Sequence, residues 1–379
     1  MDDINFALVE DKRPPLYTAM KYWGKKPHNI WSEYIRNYTP ENGIFLDPFC
    51  GSGISIIESL KLGRKTIGFD LNPLSSFVID VYLSEFNFEK FNQAAKLIIN
   101  KVSQDQIFQK IYLYNDEQIH HFKWDVDKSN EDFIYEVGII DKPINKRELK
   151  RLRKPLDIDN EVFRFSESID LRAMGLYFPD EEFHKSPSFS ASFIKAVGGN
   201  NFSNIWTKRN LYVLALIFKN ICDSDVNEDL KKQLLFGFIQ TVHLCSKMNV
   251  PRNSAANRPF STSWGRSAYL CAARKMEQNP LYVFEGSCFG KQSVESCLKH
   301  AAKYFKKPRN VKNVSESLKK KNDTSFDLKY GAVDINTIDE YIPEESVDFI
   351  ITDPPYGGLV QYLDLSYLWL SWLKNYDPT

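Results

Sequence analysis

The sequence predicts an α/β fold: a mainly parallel, three-layer sheet-and-helix core with a large mixed α/β insertion between its second and third strands. Three observations carry this reading. Short apolar runs at Ile44-Phe45-Leu46, Lys65-Thr66-Ile67-Gly68-Phe69 and Val347–Thr352 each lead straight into an acid or a turn, as strands buried on both faces do. Between the first two runs lies a Gly-x-Gly loop followed by a helical stretch. Finally, about 240 residues (85–325) separate the second strand from a third at 331–334, and a segment of that length must fold as its own layer or domain. The predicted organisation is therefore 1–84 as the first half of the core, 85–325 as an insertion, and 326–379 as the second half.

The composition fits such a chain. Of 379 residues, 43% are apolar and 26% charged, a soluble globular balance with enough length for one large or two ordinary domains. No apolar run reaches the length of a membrane span, and the acidic start Met1-Asp2-Asp3 lacks the pattern of a signal peptide. Six scattered cysteines without a C-x-x-C pair argue against a zinc ribbon and against a disulfide scaffold. The expected location is cytoplasmic, with no membrane partner and no metal. Net charge is zero, so only local clusters speak for nucleic acid. From Lys299 to Lys321 there are nine Lys/Arg against one acid, Glu316. A second cluster, Lys146–Lys154, reads as a helix ending at Pro155. Both clusters can follow a phosphate backbone, and both are also common as solvated helix faces and linkers.

In chain order, the first chemical element is Asp47-Pro48-Phe49-Cys50-Gly51-Ser52-Gly53. The glycines let the main chain approach a ligand, and Ile54–Leu62 reads as the following helix, stopped by Gly63. Asp70 ends the next strand, where an acid can hold ribose hydroxyls. The spacing is not G-x-G-x-x-G, and an acid at the loop's start would repel phosphate. It suits a cationic ligand instead, such as a sulfonium bearing an amino acid. Within the insertion, helices are expected at 88–110, at 208–222 with Thr207 as cap, and at 229–247, with a small antiparallel sheet over 107–140. His120 and His121 are adjacent and would face opposite ways in a strand, which disfavours a metal pair. Phe236, Phe238 and Trp264 read as core.

The last chemical element is Asp353-Pro354-Pro355-Tyr356, directly after a strand. Two prolines remove two N–H donors and stiffen the turn, leaving its carbonyls as acceptors. Asp353 adds a carboxylate and Tyr356 a flat ring. That combination suits an amino group on a stacked heterocycle, such as a nucleobase amine. It also suits a plain proline-rich loop.

Together, the Asp47–Gly53 loop with Gly63–Asp70 and the Asp353–Tyr356 turn closely resemble the cofactor and catalytic motifs of S-adenosylmethionine-dependent DNA amino-methyltransferases. Lys25-Lys26-Pro27-His28 resembles their Lys-Pro element, and Gly331–Asp334 their third strand. The resemblance covers about residues 14–82 and 328–373. It implies a Rossmann-like methyltransferase core that binds S-adenosylmethionine through Lys26, Pro27, Asp47, Pro48, Phe49, Cys50, Gly51, Ser52, Gly53, Asp70, Asn72, Asp334 and Asp353. It implies Asp353, Pro354, Pro355 and Tyr356 as the catalytic group, acting on the exocyclic amine of adenine, or of cytosine, in DNA. Cys50 is not expected to act as a nucleophile. The insertion would read the DNA, with Arg252, Asn253, Asn257, Arg258 and Arg266, and with Lys306, Lys307 and Arg309 of the basic stretch. The cysteine pairs of the zinc ribbon found in some longer relatives are missing here. The fold implied has seven strands, three of them after the catalytic turn. A helix over 360–372 leaves no room for them, so a missing C-terminal segment, a second chain or a second copy is expected to complete the sheet. Two other readings stay open: an RNA guanine amino-methyltransferase, and a non-catalytic DNA-recognition subunit.

Overall fold

The computed structural model describes residues 4–129, 131–144, 147–252, 262–263, 268–305, 310–314, 325–354 and 360–374. The chain divides into two compact units, Met1–Phe86 with Lys291–Ser366, and Asn87–Gly290 with Tyr367–Thr379.

The first unit is built on a sheet of five strands: β1 (Ile44–Asp47), β2 (Lys65–Asp70), β3 (Val311–Asn313), β4 (Leu328–Ala332) and β5 (Phe349–Ile350). All pairings are parallel, in the order β3-β4-β2-β1-β5. Side-chain alternation along each strand sorts the core onto two faces. Phe45, Leu328 and Tyr330 pack with Ile35 of α1 (His28–Tyr38), Ile56 and Leu60 of α2 (Ile54–Lys61) and Ile79 of α3 (Pro73–Leu83). Leu46, Ile67 and Phe69 point to the other face, against Phe326, Val333 and Ile342.

Two features depart from the sequence reading. The third strand in chain order is Val311–Asn313, so the stretch 331–334 lies at the end of the fourth. Val311-Lys312-Asn313 has a single apolar residue and sits at the rim of the sheet, so no buried-strand pattern marks it. Helices were also expected on both faces. Among the described residues, the Leu46 face is instead covered by Ile338 of a 3-10 turn (Ile335–Glu340) and by Tyr341 and Val347 of the loop beyond it.

The second unit contains an antiparallel sheet of Leu113–Tyr114, Glu117–Val126, Asp132–Ile144 and Arg147–Arg153, with Lys275–Gln278 also paired to the second of these. Helix Lys208–Cys222 starts at its expected cap, the Thr207 hydroxyl accepting from the Asn210 N–H. The expected helix at 88–110 is two helices, Phe88–Ser103 and Gln106–Tyr112, because Asp105 caps a new start by accepting from the Phe108 N–H at 2.8 Å. Phe236 and Phe238 are fully buried as expected, and Trp264 lies outside the described residues.

The basic run was expected as a helix, but its described part Arg147–Arg153 is a strand. Arg151 and Arg153, two positions apart, both reach Glu117, at 2.6 and 2.7 Å. That period of two belongs to an extended chain. Arg153 is also paired with Asp159 at 2.6 Å, so its charge is already compensated. His120 and His121 likewise depart from expectation. A register irregularity between Ile119 and His121 brings the two buried rings together, Nδ1 to Nδ1 at 2.9 Å. Among the described residues no group of three or more His, Cys, Asp or Glu could hold a metal. No helix among them is long and apolar enough to cross a membrane.

Candidate active site

Parallel pairing places the C-terminal ends of the strands side by side. Asp47 lies opposite Gly68, and Asp70 opposite Ala332. From β1 the chain moves one way along the sheet to β2 and β4, then returns to β5 on the other side of β1. The crevice between β1 and β5 is thus the point where strand order reverses, the usual ligand position in open α/β sheets. The glycine loop leaves β1 there, and the Asp353 turn follows β5.

Beside it is a cavity of about 350 Å³. Its floor is Pro48–Ser52 of the loop with Asp70, Leu71 and Asn72, and its walls include Tyr22–Gly24, Lys26, Val333–Ile335 and Val360–Leu363. A larger cavity of about 550 Å³ lies in the second unit, but none of its lining residues belongs to the glycine loop or the strand ends. Geometry therefore favours the smaller one.

Asp70 organises the loop from below. Its carboxylate accepts from the Gly51 N–H at 2.7 Å and from the Asn72 N–H at 2.9 Å. Asn72 in turn caps α3, accepting from the Leu74 N–H at 3.1 Å, and donates to the Ser366 hydroxyl at 2.6 Å. Asp47 is buried behind the loop, off the cavity surface, accepting from the Ser55 hydroxyl at 2.6 Å and the Phe49 N–H at 3.0 Å. Burial pushes its carboxyl up to about 7, helped by the nearby Asp70 charge and opposed by its two hydrogen bonds and by Lys26. Burial also raises Asp70, against the pull of the Asn72 and Gly51 amides. The buried Cys50 thiol is pushed up by desolvation, which suits packing and not nucleophilic attack.

Gly53 caps α2 with φ of +73°, and a Cβ there would lie 2.8 Å from Ile79 Cγ1. Gly53→Ala should therefore cost about 1–2 kcal/mol from the left-handed backbone alone and disturb the loop as well. Thermal melting and cofactor titration would check this; unchanged values in both would refute the steric account.

Asp353 is held from a distant part of the chain. The Lys26 ammonium forms an ion pair with its carboxylate and lies 3.3 Å from its main-chain carbonyl. Pro27 caps α1, its carbonyl accepting from the Trp31 N–H at 3.1 Å. Asp334 lines the cavity and caps the 3-10 turn by accepting from the Asn336 N–H at 2.9 Å. Pro354 is described; Pro355 and Tyr356 lie outside the described residues.

Residues 9–75 match the family model of DNA methylases. That match and the relatives it points to support a likeness to DNA amino-methyltransferases. It is similar to the Type II methyltransferase M.MjaII of Methanocaldococcus jannaschii, with 19% identity over 95% of this chain and 63% of that protein. It is also similar to M.HpaI of Haemophilus parainfluenzae, 32% identical over 38% of this chain and 44% of that protein. M.BsoBI of Geobacillus stearothermophilus is 32% identical over 23% of this chain and 18% of its own length. The chain thus spans less than two thirds of the length of these relatives. No solved structure matches it.

The segment matched by the family model contains Lys26, the glycine loop, Asp70 and Asn72, and ends well before Asp353. Sequence reasoning missed the aromatic wall of the cavity. Tyr22 stacks on Tyr362, with centroids 6.2 Å apart and planes at 28°, and both line the cavity. The Tyr22-Trp23 pair just before the Lys-Pro element was the available signal. Of the DNA-contact candidates, Arg252 is exposed; Asn253, Asn257, Arg258, Arg266, Lys306, Lys307 and Arg309 lie outside the described residues.

Proposed function

We propose that this protein transfers a methyl group from S-adenosylmethionine to an exocyclic base amine in DNA, adenine in preference to cytosine, at a specific sequence. The observation that carries the reading is the meeting, at one strand-order reversal, of the Asp70-braced glycine loop and the Asp353 turn. The Type II names of the relatives favour a role in restriction–modification or phage defence.

The residues present fit the cofactor. Asp70 and Asp334 line the cavity and Asp47 lies behind its floor, an acidic setting for a sulfonium. Asp70, at the end of β2, is placed for ribose hydroxyls, and Leu71 and Ile335 offer exposed apolar surface for a flat base. When bound, S-adenosylmethionine supplies an activated methyl group. The chain's own part is to position the amine. The target base leaves its stack to reach the turn. The Asp353 carboxylate and the Pro354 carbonyl accept the two amine hydrogens, which localises the nitrogen lone pair and aims it at the methyl group. Tyr356 stacks on the base. Arg252, Asn253, Arg258 and Arg266, with Lys306, Lys307 and Arg309, contact the DNA.

Transfer of a tritiated methyl group to duplex DNA, with an RNA control and mapping of the modified base, tests this. Label in adenine N6 is the expected result; label in RNA alone, or none, would reject it.

Cofactor affinity should also depend on pH. Asp47 is neutral below about 7 and charged above it. Affinity for the cationic cofactor should therefore rise by about threefold or more between pH 6 and pH 8. Its neutral thioether product should respond less. Calorimetry at the two pH values decides; equal cofactor affinity would count against the charge argument.

A further inference from the structure

Lys25 and Lys26 are neighbours with different tasks. Lys25 is turned into its own segment, donating to the carbonyls of Tyr17, at 2.7 Å, and Met20. Burial lowers its ammonium to about 7, with Arg13 adding to the effect. Lys26 crosses 327 positions of sequence to Asp353. Pro27, which follows it and has φ of −70°, restricts the main chain from which the Lys26 side chain departs. Trp31, in the first turn of α1, lies beneath the ammonium, 5.9 Å from ring centroid to Nζ.

Two features of the pair carry weight. First, one ammonium meets both the carboxylate and the main-chain carbonyl of the same residue, so it fixes the side chain against its own backbone. The side chains are only 22% and 32% exposed, so water screens the pair less than an ion pair on the open surface. Second, Lys26 is the one cation among the described residues lining the cavity, beside Asp70 and Asp334. A cation there opposes a sulfonium, so cofactor charge alone does not account for it.

We propose that Lys26 is a positioning residue for the transfer step: it holds the Asp353 carboxylate aimed for the incoming amine. The inference rests on the methyl-transfer reading and reassigns Lys26 from the cofactor to the catalytic turn. The rival role is an ion pair with the carboxylate at the cofactor's amino-acid end.

The test uses the full chain with Lys26→Met and Lys26→Arg, reading turnover on duplex DNA and cofactor affinity by calorimetry. Positioning predicts that Lys26→Met loses turnover about a hundredfold with cofactor affinity within about twofold of wild type, and that Lys26→Arg, which keeps a cation, recovers most of the loss. Weakened cofactor affinity with turnover intact would transfer Lys26 to the rival role and overturn the proposal. Wild-type turnover in Lys26→Met would overturn it too. A double-mutant cycle of Lys26→Met with Asp353→Asn, read by melting temperature, reports the pair independently of activity. Non-additivity supports the contact, and additivity removes its basis. A wild type that methylates no nucleic acid would reject the methyl-transfer reading itself, and the role of Lys26 with it, whatever the cycle shows.

Discussion

Asp353→Ala is expected to reduce methyl transfer by about a thousandfold or more while leaving cofactor affinity nearly unchanged. In the proposed mechanism the carboxylate is the acceptor that the turn presents to the amine, and it does not line the cavity beside the glycine loop. Asp353→Asn keeps one acceptor oxygen and should retain a measurable remainder. Single-turnover transfer to duplex DNA, with cofactor titration alongside, separates the two effects. A fully active alanine variant would remove Asp353 from the mechanism. A variant that lost cofactor binding in step with activity would make it a cofactor residue instead.

The second large effect concerns stability of the second unit. Arg209 is fully buried and is held by Glu277, with Nε at 3.0 Å and Nη2 at 2.7 Å. The same carboxylate accepts from the Thr207 hydroxyl at 2.6 Å and the Trp124 indole at 3.0 Å. Glu277→Ala would strand a buried guanidinium, at a cost of about 3–5 kcal/mol. Replacing both partners by leucine should cost less than the single change, because no charge is left unpaired. Denaturant midpoints for the single and double variants test this; a cheaper single change would contradict it. Burial pushes the Glu277 carboxyl up, but Arg209 and the hydrogen bonds outweigh it and leave it below the ordinary glutamate range. Its folded value being depressed, the stability it contributes is present above the unfolded value and is lost as pH falls through the folded one.

Much of this architecture was legible in the residues. Thr207 before an apolar-periodic stretch announced its helix, and the two strand–turn motifs announced the candidate site. The failures share a cause. The run 146–154 looks helical by charge, but Arg147–Arg153 pairs as a strand with Asp132–Ile144, and Arg151 and Arg153 are matched to acids distant in sequence. The side-by-side histidines depend on a ladder irregularity that neither residue encodes. Strand β3 is too short and polar to carry a pattern. In the site, the motifs were visible while their mutual contacts were not. The Lys26–Asp353 pair and the Tyr22–Tyr362 stack join segments brought together only by sheet order.

The hydrogen bonds running from Gly51 to Asp70, from Asp70 to Asn72 and from Asn72 to Ser366 have a consequence for gene architecture. The loop's shape is specified partly by a serine 294 positions further on. Recombination that moved the first 86 residues into another gene would carry the segment that matches the family model and leave its last brace behind.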